Sequence, residues 1–325
     1  MRRLLRAVRV EHFLYLAFPV LVLAAPLTST AQQEQDRIHC RLSIDLVMLT
    51  VTVTDANGHP VTNLTHDDFF VTDRNHPQNI DYFSREDRPR SVGIVISEST
   101  AAHVDRVKSI LQNIRSFKEQ SHEMNEYFIV AAGGSPQIVT DWTRDRDALA
   151  DGLNNGTSTD AAGESAVYDA CALANAKLDE RGTFESVILL FSDGEDASQW
   201  SYTDLRESFK RSGALVYSIV WANQRAAQGS AQAGLKKLAA VSGGASYVVS
   251  SANEVSEVLG RIATELQHQY VIGYYPVEAQ RDGTWHRVKV MAYSQTDGRS
   301  DPIPLVVRSM RGYNAPNEPV LSQQD

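Results

Sequence analysis

Two hydrophobic grammars alternate along this chain. In residues 43–54 (SIDLVMLTVTVT), Leu49, Val51 and Val53 take turns with Thr50, Thr52 and Thr54, the period-two pattern of a strand with one buried face. Asp55-Ala56-Asn57-Gly58-His59 supplies turn chemistry before Val61. Thr65-His66-Asp67-Asp68 reads as a capped single turn, Phe69-Phe70-Val71 begins a strand, and Asn75-His76-Pro77-Gln78 turns the chain toward Ile80 and Tyr82. From Ser91 the pattern changes. Short apolar runs at 91–96 (SVGIVI), 128–132, 187–191 (VILLF), 215–221 and 247–249 predict strands covered on both faces. Between them apolar residues recur at helical spacing, as in Val104, Val107, Ile110, Leu111, Ile114 and Phe117, and again over 166–178, 202–212, 235–241 and 255–266. Ile138-Val139 predicts a short edge piece, and 146–153 a weakly patterned helix. After Tyr270 the period of two returns, at 270–275, 287–293 and 305–310, with Asp282-Gly283 as turn material.

Repeated strand–helix units predict an α/β fold, a mostly parallel sheet with helices on both faces. The first β block holds only about forty residues, too few to bury a core alone. The expected organisation is therefore a small β-sandwich split into 40–86 and 269–313, with the α/β domain of 88–268 inserted between. Residues 314–325 read as a polar, disordered tail. The alternative is a single continuous domain with trailing hairpins.

Charge and composition add a location and remove some functions. Arg2, Arg3, Arg6 and Arg9 precede a short apolar run at 13–25, and Ser29-Thr30-Ala31 places small residues where a signal peptidase would cut. Residues 1–31 are thus expected to be a signal peptide and the mature protein to be periplasmic or extracellular. The rival is an uncleaved anchor, but the run is short for a hydrocarbon core of about 30 Å. The formal charge is -9, and removing the basic leader makes the body more acidic still, which argues against a nucleic-acid partner. The two cysteines, Cys40 and Cys171, make no zinc framework, and whether they pair is left open.

Hydroxyls and carboxylates gather at the predicted strand ends, where ligands of open α/β sheets bind. Ser97-Glu98-Ser99-Thr100-Ala101 follows the first strand of the α/β region, Gly163-Glu164-Ser165-Ala166 opens a helix, and Ser192-Asp193-Gly194-Glu195-Asp196 follows the most apolar strand. Such oxygens suit a hard cation such as Mg²⁺. A hydrolase reading finds less: neither Ser165 nor Ser192 lies in a Gly-x-Ser-x-Gly elbow. Gly133-Gly134 and Gly243-Gly244 read as turn and helix-end glycines rather than a phosphate cradle.

The phrases Leu190-Phe191-Ser192-Asp193-Gly194-Glu195-Asp196 and Gly163-Glu164-Ser165-Ala166-Val167-Tyr168-Asp169-Ala170 resemble a von Willebrand factor A domain. Gly58-His59-Pro60-Val61, Leu64, Asp68-Phe69 and Tyr270-Val271-Ile272-Gly273-Tyr274-Tyr275-Pro276 extend the likeness to a bacterial, acidobacterial-type group of related proteins, over about residues 43–313. The resemblance implies a Rossmann-like fold and, in many members, a metal-ion-dependent adhesion site. That site takes Asp-x-Ser-x-Ser after the first strand, a Thr on the second loop and an Asp on the third. Here Ser97 stands where the first Asp belongs, Ala101 where the second Ser belongs, and Ser165 where Thr is usual. Ser99, Ser165 and Asp193 are what remains of the metal ligands, with Ser97, Glu98, Glu195 and Asp196 on the ligand-face loops. The expectation is a degenerate site with weak Mg²⁺ binding at most. It belongs to an exported, non-enzymatic module that binds a protein partner or serves as an envelope scaffold.

Overall fold

A computed structural model of the chain describes residues 46–97, 103–156, 165–182, 185–222, 230–278, 281–294 and 303–317. The leader, Cys40, Glu98, Ser99, Ala101, Gly163, Glu164 and most of the tail lie outside them. The chain opens with β1 (Val47–Thr54), β2 (Phe69–Asp73), β3 (His76–Gln78) and β4 (Tyr82–Ser84). A single 3-10 turn at His66–Asp68 precedes β2, and the Thr65 amide and hydroxyl both donate to Asp68 Oδ2, at 2.7 and 2.9 Å.

The strand–helix region then runs β5 (Ser91–Ser97), α1 (His103–Gln120), β6 (Glu126–Ala131), β7 (Gln137–Thr143), α2 (Arg146–Gly156), α3 (Val167–Asp179), β8 (Ser186–Ser192), α4 (Tyr202–Ser212), β9 (Leu215–Trp221), α5 (Ser230–Ser242), β10 (Ala245–Val249) and α6 (Ala252–Gln267). Its sheet has the order β10-β9-β8-β5-β6-β7, parallel throughout except for the antiparallel edge strand β7. Every residue of β5, β8 and β9 is buried, as the unbroken apolar runs predict for a sheet covered on both faces. One apolar layer joins Ile94, Leu189 and Tyr217 to Ile114 and Phe117 of α1, Leu149 of α2 and Ile262 of α6. The other joins Val95, Leu190 and Val216 to Cys171 of α3, Phe209 of α4 and Leu235 of α5. The fold is the α/β arrangement expected from the sequence. Gly93 in β5 is needed for packing: a Cβ there would sit 2.6 Å from the Phe128 ring.

The period of two after residue 270 becomes β11 (Tyr270–Tyr274), β12 (Trp285–Ser294), β13 (Ile303–Pro304), β14 (Val306–Ser309) and β15 (Gly312–Asn314). These strands pair with those before Ser91. One sheet runs β14-β1-β11-β4 and a second runs β13-β12-β2-β3, with β15 also on β12. Val47 to Val51 face Tyr274 to Tyr270 across β1 and β11, and Val288 to Ala292 face Asp73 to Phe69 across β12 and β2. The inner faces share one core in which Leu49, Val51 and Val53 meet Ile272, Val288 and Val290. Thr52 and Thr54, on the polar side of the alternation, are also buried. The hydroxyl of Thr52 accepts from Gln269 Nε2 at 2.9 Å, and Arg90 reaches Gln269 Oε1 at 3.3 Å, so this side faces the α/β layer.

Several boundaries differ from the apolar pattern. α5 begins at Ser230, ahead of Leu235, because small and polar residues such as Ser230 and Gln232 extend a helix without marking its period. β7 spans seven residues, although Asp141 and Trp142 interrupt its pattern, because one side of an edge strand faces solvent. β13 and β15 are too short to show a period.

Candidate functional site

The carboxyl ends of β5 and β8 lie side by side, with Ser97 in register with Ser192. The Asp193 amide donates to the Ser97 carbonyl at 3.2 Å and ties the two strand ends together. Ser165, just ahead of α3, donates its hydroxyl to the Ala132 carbonyl at 3.2 Å. It also shares a short hydrogen bond with the Ser97 hydroxyl. Ser165 has one proton, which the Ala132 carbonyl takes, so Ser97 is the donor between the two serines. Ser97, Ser192 and Asp193 are completely buried and Ser165 is nearly so.

The Ser192-Asp193-Gly194 turn closes on itself. Ser192 Oγ accepts from the Gly194 amide at 3.0 Å, and Asp193 Oδ1 accepts from the Glu195 amide at 3.2 Å. Gly194 sits at φ 85°, the left-handed region that glycine adopts without a steric penalty. The sequence brings Ser97, Ser165 and Asp193 into one buried cluster at the strand ends.

Asp196 has a different task from the one its loop position suggests. α3 starts after Ala166, which has no side chain to cap it. Asp196 Oδ1 supplies the cap from thirty residues away, accepting from the amides of Val167 at 3.0 Å and Tyr168 at 3.4 Å. Ser198 Oγ accepts from the Tyr168 and Asp169 amides at 2.8 and 3.2 Å. Asp169 returns the contact, receiving the amides of Gln199 at 3.1 Å and Trp200 at 2.8 Å. The Ala197 amide donates to the Ser165 carbonyl at 2.8 Å, so the loop after β8 is stitched to the start of α3. A carboxylate at a helix N-terminus satisfies orphan amides and opposes the helix dipole. Asp196 is a structural cap rather than an outward ligand. Ser198 and Asp169 escape a search for ligands, and the missing cap at Ala166 is the signal that points to them.

Burial and the Asp196 charge together push the Tyr168 hydroxyl up to about 12. On the same helix Cys171 is a free cysteine, wholly buried, and burial followed by Asp196 pushes its thiol well up. A thiol so placed is not a thiolate nucleophile.

A divalent cation needs several oxygens with enough negative charge among them. The described cluster offers a single carboxylate, Asp193, and two hydroxyls already bonded to one another and to the Ala132 carbonyl. Among the described residues no three His, Cys, Asp or Glu side chains converge as a metal cage would require. These described donors alone, with Glu98, Ser99 and Glu164 outside the described residues, supply less charge and fewer free oxygens than such an ion requires.

None of the curated proteins compared matches the chain significantly in sequence. Among solved structures, a von Willebrand factor type A protein from Catenulispora acidiphila is 11% identical, covering 83% of this chain and 72% of its own, with a TM-score of 0.46. BatB from Bacteroides thetaiotaomicron is 14% identical over 55% of this chain and 98% of its own, with a TM-score of 0.41. Proximal thread matrix protein 1 from the mussel byssus is 11% identical, covers 56% of this chain, and has a TM-score of 0.44. The chain spans 49% of that mussel protein's length. Residues 95–195 match the family model of the von Willebrand factor type A domain, a segment that runs from β5 through the turn after β8 and contains Ser97, Ser165, Asp193 and Glu195.

Proposed function

We propose that the chain is an exported, non-enzymatic binding module whose strand-end face engages a protein partner without a metal ion. The observation that carries this reading is the hydroxyl pair of Ser97 and Ser165. Where the resemblance expects a carboxylate and an open hydroxyl, two neutral groups satisfy each other in a buried setting. In this reading the adhesion site is degenerate and the surrounding loops retain the contact surface. The basic and apolar succession of residues 1–31 supports export, and the likeness of 58–61 and 270–276 to bacterial relatives supports an envelope setting. The pairing of β1 with β11 and of β2 with β12 supports one split β unit carrying the von Willebrand factor A-type segment as an insertion.

The test joins calorimetric titration of the mature protein with Mg²⁺ and Mn²⁺ to capture of partners from envelope extract with and without chelator. Binding no tighter than about millimolar is expected for the unmodified protein, with capture indifferent to chelator. Tight metal binding, or loss of the partner on chelation, overturns the proposal. The double change Ser97→Asp and Ala101→Ser restores one charge and one oxygen. It should raise metal affinity at least about tenfold, ~1.4 kcal/mol, and Asp193→Ala should remove the gain. Failure to gain affinity would show that the loops do not form one site.

A further inference from the structure

β1 has a neighbour on each side, and the two neighbours cover different lengths. β11 pairs with it from Val47 to Val51, whereas β14 pairs only from Val51 to Thr54. Residues of an antiparallel strand direct their N–H and C=O alternately to the two sides. The Val53 carbonyl accepts from the Val61 amide at 3.0 Å, on the side that faces β11, and the Gly273 carbonyl of β11 accepts from Asp81, on the β4 side, at 2.8 Å. Odd-numbered residues of β1 therefore face β11 and even-numbered ones face β14. Met48 aims its N–H and C=O to the β14 side beyond the last β14 pair, where no described strand runs. β14 ends because the chain leaves after Ser309 to form β15 on β12, in the other sheet. Gly312 permits that crossing, since a Cβ there would lie 2.1 Å from the His286 carbonyl oxygen.

This edge, unpaired among the described residues, borders a cleft of about 730 Å³, within the size range of ligand sites. Met48 and Met310 line it, the last turn of α4 with Lys210 and Arg211 forms one wall, and Tyr313 stands on another. Lys210 is engaged by Glu207 at 3.0 Å and lies 4.6 Å from the centroid of the Trp285 ring. Glu207 is also held by Arg206 at 2.7 Å. Arg211 is exposed and has no ion pair among the described residues. In a chain of net charge -9, this leaves a local positive charge beside an open backbone edge.

We propose that this cleft receives an extended segment of a partner polypeptide, added as a strand along β1 at Met48, with an Asp or Glu side chain directed to Arg211. Strand addition draws affinity from main-chain hydrogen bonds and specificity from alternate side chains. Here the side-chain contacts are the methionines and the arginine. The surface lies by the carboxyl end of α4, where the chain enters β9, at the opposite end of the central sheet from Ser97 and Asp193. It does not depend on the strand-end reading.

The experiment follows backbone amide signals of the full mature chain on titration with the blocked hexapeptide Thr-Val-Glu-Val-Thr-Val at up to millimolar concentration. Saturable shifts at Met48 and Arg211 are expected, with slowed hydrogen exchange at Met48 on binding. The same peptide with Lys for Glu should bind at least about tenfold more weakly, ~1.4 kcal/mol, and Arg211→Glu should reverse that preference. A peptide N-methylated on alternate amides along the docking edge should not bind. Met48→Pro removes the outward amide together with the Met48 side chain and fixes the backbone there, and it should abolish binding; if it unfolds the chain, the Arg211→Glu arm decides. Absence of saturable shifts, equal binding of the methylated peptide, or an unchanged charge preference in Arg211→Glu overturns the proposal. So does slow exchange of the Met48 amide in the free protein, which would mean that residues 318–325 or a second copy already cover the edge.

Discussion

The central sheet and the two flanking sheets solve burial in different ways. β5, β8 and β9 are apolar along their whole length and are buried by helices on both faces. The flanking strands bury one face in a shared core assembled from both ends of the chain. They meet the α/β layer through polar pairs, among them Glu265 with Arg308 at 2.6 Å and Gln269 with Thr52. Stability in the first region comes from burial that each strand carries with it. In the second it depends on partners more than two hundred residues apart, as Leu64 and Tyr270 illustrate: the Tyr270 hydroxyl accepts from the Leu64 amide at 3.2 Å and donates to the Val61 carbonyl at 2.7 Å.

Truncation tests this contrast most directly. Leu189→Ala in the middle of β8 should cost about 3–5 kcal/mol, because packed neighbours on both faces cannot collapse into the space. Ile272→Ala in β11 should cost less, about 2–4 kcal/mol. Urea unfolding measures both, and a larger loss for Ile272→Ala would reverse the ranking of the two cores.

The polar joint comes next. Glu265 is buried and Arg308 only partly exposed. Glu265→Ala should cost about 2–3 kcal/mol by stranding the guanidinium, less than a fully buried pair would lose. Joint replacement of Glu265 and Arg308 by apolar residues should recover part of that loss. A double-mutant cycle with no coupling would show that the joint is merely adjacent.

Asp196→Ala should cost about 1–2 kcal/mol, the range for a lost helix cap. Its footprint should be local, with faster amide exchange at Val167 and Tyr168, and Asp196→Asn, which keeps an acceptor oxygen, should lose less. Unchanged exchange there would return Asp196 to the ligand face.

The smallest effect belongs to Asp282 at the foot of β12. The Thr284 amide and hydroxyl, then His286, hold its carboxyl at about 2, below the ordinary 3.8. A depressed acid contributes fully above its unfolded value and loses that contribution as pH falls through the folded one. Its part in stability should therefore be constant above pH 4 or so and fade between there and about 2. An NMR titration of the carboxyl carbon with a midpoint near 4 would refute the arrangement.

Much of this molecule is legible from periodicity. The apolar run 187–191 and the alternation of Leu49, Val51 and Val53 each predict their element and the side it buries, because both are properties of a few consecutive residues. The loops that carry Ser97, Ser165 and Asp193 are legible too, since strand ends follow from strand order. The roles of individual polar groups are less visible. Asp196 is read as a loop acid because nothing local shows that the amides of α3 point toward it.

What the sequence by itself determined is the kind of each segment and the face it must bury, since side-chain spacing along a strand or helix is local geometry. Only the tertiary structure decided which groups meet. It turned the Ser97 hydroxyl onto Ser165, gave the bare start of α3 a cap from Asp196, and stopped β14 at Ser309, so that no described strand pairs with Met48 on that side. The physical reason is that a hydrogen bond depends on a separation of about 3 Å and on direction. Those are fixed by how distant segments pack against one another.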